Sequence, residues 1–566
     1  VLANDVLGNA VLAVISSPLL DATLPKQHAG GPLVATGGTL VYNPRPTSIA
    51  GLNKVADAGG AAFIQDPHLS GVLHDPTAIL YVRTGDLVAR SPTDARCLVQ
   101  GRLTPTQYTC PVKLRDRAPV EPVVLRAAAG DCIRVTLRNK LPAVMPDLPS
   151  FKHLPPSITR DAGAVPAAVV AGADLSTFNN NHIRPSNFVG LRPALVAHNV
   201  RNDAGMVVGQ NPNGNIAAPG TTVSYRWYAG DVSLVPATGT SYNLVATPVE
   251  FGGTNLFPAD LIKQGQKGLG GALVILPQGS SWNELAPDYV NDNQVSGAPA
   301  DCSAATASTP GCRETRTTAT VNGTIRDVVA LMQKGMSHRY GDGEPVEQIA
   351  SEKSVAEDAE DSGEMAMNFR SDPVWFRFGL PPNTPFTGGG PVPAGAPPDL
   401  SFRTVGNSGD AYSNSLSGGD PSTPVWNVSA GDETRIHLLE PTGANRAGVI
   451  TLHGHVWQRT PYVCTSSYLG IVGNCNPTGF LPLGSGTAVN AAGLTGIGPL
   501  EVASRSIGNN LTSINMGAQD QIQPGSHFTI RLPSAGGTDR VVGDYLLMDR
   551  TGFGSLAGVW GILRVK

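Results

Sequence analysis

Short apolar runs, many alternating with polar residues, recur along this chain and are punctuated by Gly, Pro, Asn and Ser. Alternation with a period of two places successive side chains on opposite faces of an extended backbone, so the pattern predicts strands joined by turns. The run Val124-Leu125-Arg126-Ala127-Ala128-Ala129-Gly130-Asp131-Cys132-Ile133-Arg134-Val135 reads as strand, turn, strand. Trp426-Asn427-Val428-Ser429-Ala430-Gly431-Asp432-Glu433-Thr434-Arg435-Ile436 repeats it, with Ala-Gly-Asp in the turn and an Arg at the same later position. Gly-Asp supplies the turn in both copies.

Two further pairs of segments follow in the same order. Pro219-Gly220-Thr221-Thr222-Val223-Ser224-Tyr225 matches Pro524-Gly525-Ser526-His527-Phe528-Thr529-Ile530. Gly268-Leu269-Gly270-Gly271-Ala272-Leu273-Val274-Ile275 matches Gly558-Val559-Trp560-Gly561-Ile562-Leu563-Arg564-Val565. Three matched signals in one order predict an all-β chain of two tandem Greek-key β-sandwiches. The boundaries expected are an arm or remnant of a preceding unit over 1–72, a first sandwich over 73–282, a linker over 283–320 and a second sandwich over 321–566. The first sandwich carries a Pro- and Ala-rich insertion near 142–181, and a strand is expected over 366–377.

The 566 residues exceed one ordinary core, which agrees with more than one unit. With 66 Gly, 47 Pro and 15% charged residues, the composition suits turn-rich β-structure rather than long surface helices. A net charge of −4 without a basic stripe argues against nucleic acid as a partner. No apolar run is long enough for a membrane-spanning helix. The chain starts at Val1 without a signal-peptide pattern, and reads as a processed mature protein or a piece of a longer precursor. Cys97/Cys110, Cys302/Cys312 and Cys464/Cys475 are close pairs, with Cys132 left over. Disulfides there would imply export, whereas scattered reduced thiols are the alternative. Glycosylation sequons stand at Asn322, Asn427 and Asn510.

The candidate chemistry centres on Thr451-Leu452-His453-Gly454-His455-Val456-Trp457. In a continuous strand His453 and His455 share a face, and two imidazoles together suit copper, zinc, nickel or iron. The alternative is a pair of imidazoles hydrogen-bonded to backbone or carboxylates, because a metal needs three or four ligands. No P-loop, dinucleotide fingerprint, EF-hand or Gly-x-Ser-x-Gly elbow is present.

The Ala-Gly-Asp turns, Leu452-His453-Gly454-His455 and the terminal Gly558-Val559-Trp560-Gly561-Ile562-Leu563-Arg564-Val565 resemble the multicopper oxidases. The stretches Asp75–Arg83, Glu250–Leu256 and Leu452–Gln458 are most similar to the large bacterial members of manganese-oxidase type, and the likeness covers most of 73–566. The resemblance implies tandem cupredoxin-like sandwiches, a type 1 copper that takes electrons from substrate, and a trinuclear copper cluster that reduces dioxygen. It also implies ligand positions, and these are largely vacant of ligands. The His-Cys-His set falls on Met548, Asp549 and Arg550, the next His on Gly554 and the axial Met on Val559. The other pairs fall on Pro258 and Asp260, near Arg192 and Pro193, and on Gly448, Thr451 and His453. One cluster ligand, His453, survives, and without a thiolate no blue copper site forms. Arg192 and Arg550 would place cations where copper would sit.

Asp549, Asp260 and Glu250 read either as a carboxylate site for a hard cation or as ion-pair partners of Arg550 and Arg192. His198 and His182 reach a shared site only if the two units pack face to face, and His437 reads as surface or interface. The expectation is therefore an extracellular or periplasmic protein with degenerate copper sites, a non-catalytic or auxiliary portion of a copper-oxidase system that works with a copper-bearing partner chain. The alternative is a homo-oligomeric structural protein of the cell surface. An active copper-dependent oxidase is the third reading, and His453 and His455 are the residues at which copper would be held.

Overall fold

The computed structural model describes residues 9–16 and, between 73 and 566, chiefly 78–114, 121–143, 185–284, 316–338, 365–374, 420–458 and 515–566, with short gaps inside these stretches. Strands dominate, and they form two sandwiches in tandem. The all-β expectation and the tandem Greek-key arrangement expected of cupredoxin-like units are what the strand order gives.

In the first sandwich one sheet runs Ala197–His198, Thr222–Tyr228, Cys132–Asn139, Asn9–Ser16, Ile79–Arg83. The facing sheet runs Val123–Ala128, Gly271–Leu276, Gly252–Pro258, Leu191–Pro193. In the second, one sheet runs Trp282–Glu284, Thr318–Val321, Ile325–Lys334, Thr434–Leu439, His527–Leu532, and the other Val425–Val428, Trp560–Val565, Gly543–Asp549, Gly448–Leu452, Ala518–Ile522. The two units repeat the same pairing. Val123–Ala128 runs parallel to Gly271–Leu276 as Val425–Val428 runs parallel to Trp560–Val565. Cys132–Asn139 is parallel to Asn9–Ser16 as Thr434–Leu439 is parallel to Ile325–Lys334.

The repeated Ala-Gly-Asp has a backbone cause. Gly130 and Gly431 sit at φ 94° and 89°, the left-handed region that a Cβ disfavours. Each uses its N–H to tie the turn across the sandwich, Gly130 to the Ala229 carbonyl and Gly431 to the Ala535 carbonyl. Each unit then fills its own core: Tyr225 and Trp227 pack with Leu125, Ile133 and Leu273 in the first, and Trp426 and Trp457 with Ile436, Leu547 and Leu563 in the second.

Several segments differ from the sequence expectation. Asn9–Ser16 lies in the stretch read as an arm, yet its backbone pairs with two strands of the first sandwich, Ile79–Arg83 and Cys132–Asn139. Both ends of the expected linker are strands, since Trp282–Glu284 pairs with Thr318–Val321 at the edge of the second unit. The strand expected over 366–377 is Met365–Met367 and stops where Asn368 and Phe369 turn left-handed, at φ 52° and 60°. Cys97 and Cys110 form a disulfide, and Cys132 is buried and free. Cys302/Cys312, Cys464/Cys475, the insertion at 142–181 and the Asn510 sequon lie outside the described residues. No helix among the described residues is long and apolar enough to cross a membrane.

The sandwiches share a seam. Val124, Ala272, Val274 and Leu276 of the first pack with Val321, Val329, Leu331 and Leu439 of the second in one apolar cluster. The seam lies between the 252–258 and 271–276 side of the first unit and the 325–334, 434–439 and 527–532 strands of the second.

Candidate functional site

His453 and His455 do not share a strand face. The strand ends at Leu452, and Gly454 takes φ 69°, which turns the chain between the two rings. His453 is exposed and His455 buried. His455 uses both nitrogens: Nδ1–H donates to the His453 carbonyl at 3.1 Å, and Nε2 accepts from the Gly536 N–H at 3.0 Å. Its ring stands edge-on to Tyr545 with centroids 4.5 Å apart. Burial lowers its pKa, with the bond to the His453 carbonyl opposing and the neighbouring His453 ring adding to the shift. A neutral imidazole with no lone pair to spare has no donor for a metal.

The positions of the second unit that the sequence resemblance maps to copper ligands do converge. Asp549 ends the Gly543–Asp549 strand and is fully buried. Its Oδ1 accepts from the Val449 N–H at 3.0 Å. A Cβ added to Gly448 would lie 2.6 Å from Asp549 Oδ2, and one added to Gly554 would lie 2.3 Å from its Cγ. Both distances are far inside van der Waals contact, so the Asp549 carboxyl occupies the space that side chains at those two glycines would need. Close by, the buried Glu440 pairs with the buried Lys334 at 3.1 Å. Burial pushes Glu440 up to about 8, with Lys334 pulling it down and the Asp549 charge pushing it up further.

The positions of the first unit that the resemblance maps to copper ligands are also occupied by local structure. Asp260 accepts from the Ser186 N–H at 2.8 Å. Arg192 lies over the face of Phe257, its guanidinium carbon 4.6 Å from the ring centre. Glu250 accepts from Arg435 across the seam at 3.1 Å. The carboxylates of Asp549, Asp260 and Glu250 therefore do not gather into a cation site, and the pairing of Arg192 with a carboxylate is replaced by a ring contact. Among the described residues no three His, Cys, Asp or Glu side chains cluster as metal ligands. Among the described residues, the side chains at the positions mapped by the resemblance are not, apart from His453, the His, Cys and Met donors that a type 1 or a trinuclear copper centre takes there.

A dense polar constellation lies in the seam. Arg126 reaches out of an otherwise apolar strand to Asp327 at 3.1 Å, Glu284 at 3.1 Å, the Arg316 carbonyl at 2.7 Å and the Thr317 carbonyl at 3.3 Å. Asp327 Oδ2 accepts from His437 Nε2 at 2.7 Å. His437 Nδ1 accepts from the Gly253 N–H at 3.0 Å and lies 2.9 Å from Thr529 Oγ1. Arg435, two residues before His437, faces the same way and joins Glu250 to Glu433, which also holds Arg531 at 2.9 Å. Burial would raise Asp327, but His437 and Arg126 together hold it well below the usual carboxylate range. Gly253 is required here: a Cβ on it would lie 2.5 Å from the His437 Cβ.

A hydroxyl, an imidazole and a carboxylate in line would suit nucleophile activation. The Gly253 N–H excludes that use. A backbone N–H only donates, so it takes the Nδ1 lone pair that would have to accept the Thr529 proton. The constellation is a buried tie between the sandwiches. Sequence reading missed it, although Thr434-Arg435-Ile436-His437-Leu438-Leu439 shows the sign, polar residues alternating with apolar ones in a strand buried on both faces.

No family model matches the chain, and no curated protein matches it. Among solved structures, a multicopper oxidase is similar at 12% identity over 80% of this chain and 79% of its own, with a TM-score of 0.31. A copper nitrite reductase from Nitrosomonas europaea aligns at 11% identity over 79% of this chain and 84% of its own, also at 0.31. The blue copper oxidase from Nitrosomonas europaea aligns at 11% identity over 78% and 76%, again at 0.31. Likeness at that level brings neither an activity nor a ligand to this chain.

Proposed function

We propose that the chain is a non-catalytic scaffold of copper-oxidase ancestry, an auxiliary portion of a copper-oxidase system that works outside the cytoplasm beside a copper-bearing partner chain. The observation that carries the reading is the buried Asp549 carboxyl, set against Gly448 and Gly554 and held by the Val449 N–H. Three positions that the sequence resemblance maps to metal ligands come together in space, which supports the ancestry. They come together around a hydrogen-bonded carboxyl rather than a set of imidazoles, which supports loss of the centre. Both nitrogens of His455 are committed to backbone, which leaves that member of the His453–His455 pair without a donor for a metal. The Cys97–Cys110 disulfide favours an oxidising compartment.

The test uses the full chain, incubated with copper and desalted, then measured by elemental analysis, visible absorption and oxidation of phenols and Mn(II). The expected result is substoichiometric copper, no blue absorption and no oxidation. A full set of one type 1 and three cluster coppers with a blue band overturns the proposal.

A further inference from the structure

We infer that Arg192, seated on Phe257 beside Met206, is the anchor of a binding site for an oxyanion, a carboxylate or a phosphate. This site is independent of any copper chemistry. Its placement follows from the sheet. Gly253, Asn255 and Phe257 alternate along one strand and so share a face. The second sandwich covers that face at Gly253, which touches His437, and at Asn255, whose Nδ2 donates to the Ser526 carbonyl at 3.0 Å. Two residues further on, Phe257 is half-buried and lies opposite Arg192 in the register.

The guanidinium is partly withdrawn from water and has no counter-charge among the described residues. Arg83, Arg126, Arg316, Arg435, Arg531 and Arg564 each bind a carboxylate. Arg192 instead has the Phe257 ring below it at 4.6 Å and the Met206 sulfur at 3.7 Å from Nη1. Its Nε is buried with no acceptor among the described residues. Burial lowers its pKa, with no acidic neighbour opposing. A desolvated cation without a partner is unfavourable, and an incoming anion relieves it. The planar guanidinium carries the fork that a carboxylate or phosphate takes with two parallel bonds. The ring adds an apolar floor that suits a ligand carrying a hydrophobic body next to its charge.

Isothermal titration of the full chain with benzoate, acetate and inorganic phosphate tests this. The expected result is saturable binding that weakens with added salt. Benzoate binding tighter than acetate and phosphate assigns a carboxylate with an apolar body, whereas phosphate binding tightest assigns a phosphate group. Arg192→Gln is expected to weaken binding at least ~10-fold, the effect of losing one charge-assisted bidentate contact. Arg192→Lys keeps the charge without the fork and is expected to fall between. Arg201→Gln, a change at an exposed arginine of the same sandwich, should leave binding intact. Tryptophan fluorescence of each variant checks that the fold is kept. Absence of saturable binding by all three probes, or equal binding by wild type and a folded Arg192→Gln or Arg192→Lys variant, overturns the assignment.

Discussion

Replacing Asp327 with Asn tests the tie between the sandwiches with almost no change of shape. The carboxylate accepts from Arg126 on Oδ1 and from His437 on Oδ2. An amide keeps one acceptor, which stays with Arg126, and turns its NH2 toward His437 Nε2. Two donors then face each other, so His437 must move its proton to Nδ1. There the proton points at Thr529 Oγ1, and the Gly253 N–H loses its acceptor. Orphaning a buried N–H costs about 1–3 kcal/mol. Arg126, with a side chain fully buried, also loses the charge that compensates it, although Glu284 remains at 3.1 Å. Breaking one partner of a buried pair costs roughly 3–5 kcal/mol, and the two terms overlap, so the expected loss is ~4 kcal/mol. Because Asp327 is held below the usual carboxylate range, its contribution is present above the unfolded carboxylate pKa and is lost only as pH falls through the lowered folded value. Measurement at pH 7 therefore reports the whole effect. The assay is urea unfolding followed by tryptophan fluorescence, with hydrogen exchange at the Gly253 amide. A loss under ~0.5 kcal/mol, the size of an ordinary surface substitution, would refute the reasoning. So would unchanged protection of Gly253.

Glu440, raised to about 8 from 4.5, holds its proton in the folded chain over a range where the unfolded chain has released it. Its contribution to stability is therefore full below pH 4.5 and declines by roughly 4 kcal/mol as pH rises to 8, and Glu440→Gln should flatten that slope in denaturant midpoints taken across the range. Gly554→Ala should cost about 1–3 kcal/mol through overpacking against Asp549, and less in the Asp549→Gly background, which removes both the Cβ and the carboxyl that the new methyl meets; a double-mutant cycle of thermal unfolding checks this. Equal costs in both backgrounds would show that Asp549 is not what fills the space. Reduction of Cys97–Cys110, which closes a 13-residue separation, should lower stability by up to ~3 kcal/mol in a differential scanning experiment with and without reductant.

The strand pattern was legible in the sequence because each unit reuses it. Gly130 and Gly431 need left-handed backbone, so the Ala-Gly-Asp turns stay recognisable while their surroundings differ. That Gly448, Asp549 and Gly554 lie together is what the resemblance to the multicopper oxidases implies for these positions; no periodicity in the chain points to it. What was not legible is what breaks a period. His453 and His455 looked like one face because alternation assumes a continuous strand, and Gly454 ends it. The Arg126–Asp327–His437 tie joins residues two hundred and more than one hundred positions apart, and only the packing of the sandwiches brings them together. Arg192 was expected to meet a carboxylate, but its cross-strand neighbour is Phe257, a pairing set by register and not by charge.

Both sandwiches depend on parallel strand pairs that are remote in sequence. Val425 meets Ile562, Arg326 meets Thr434, and Asn9 meets Arg134, each across more than one hundred residues. Closing such distances costs chain entropy before any contact rewards it, which puts this topology among slow folders. The Thr434–Leu439 strand cannot complete its sheet until His527–Leu532, almost a hundred residues later, has been made. During synthesis the Arg435–His437 face would wait with its polar groups unmatched and its apolar side open to other chains. Yield from a cell or a refolding buffer should therefore depend on chaperones and on dilution far more than the finished, well-buried cores suggest.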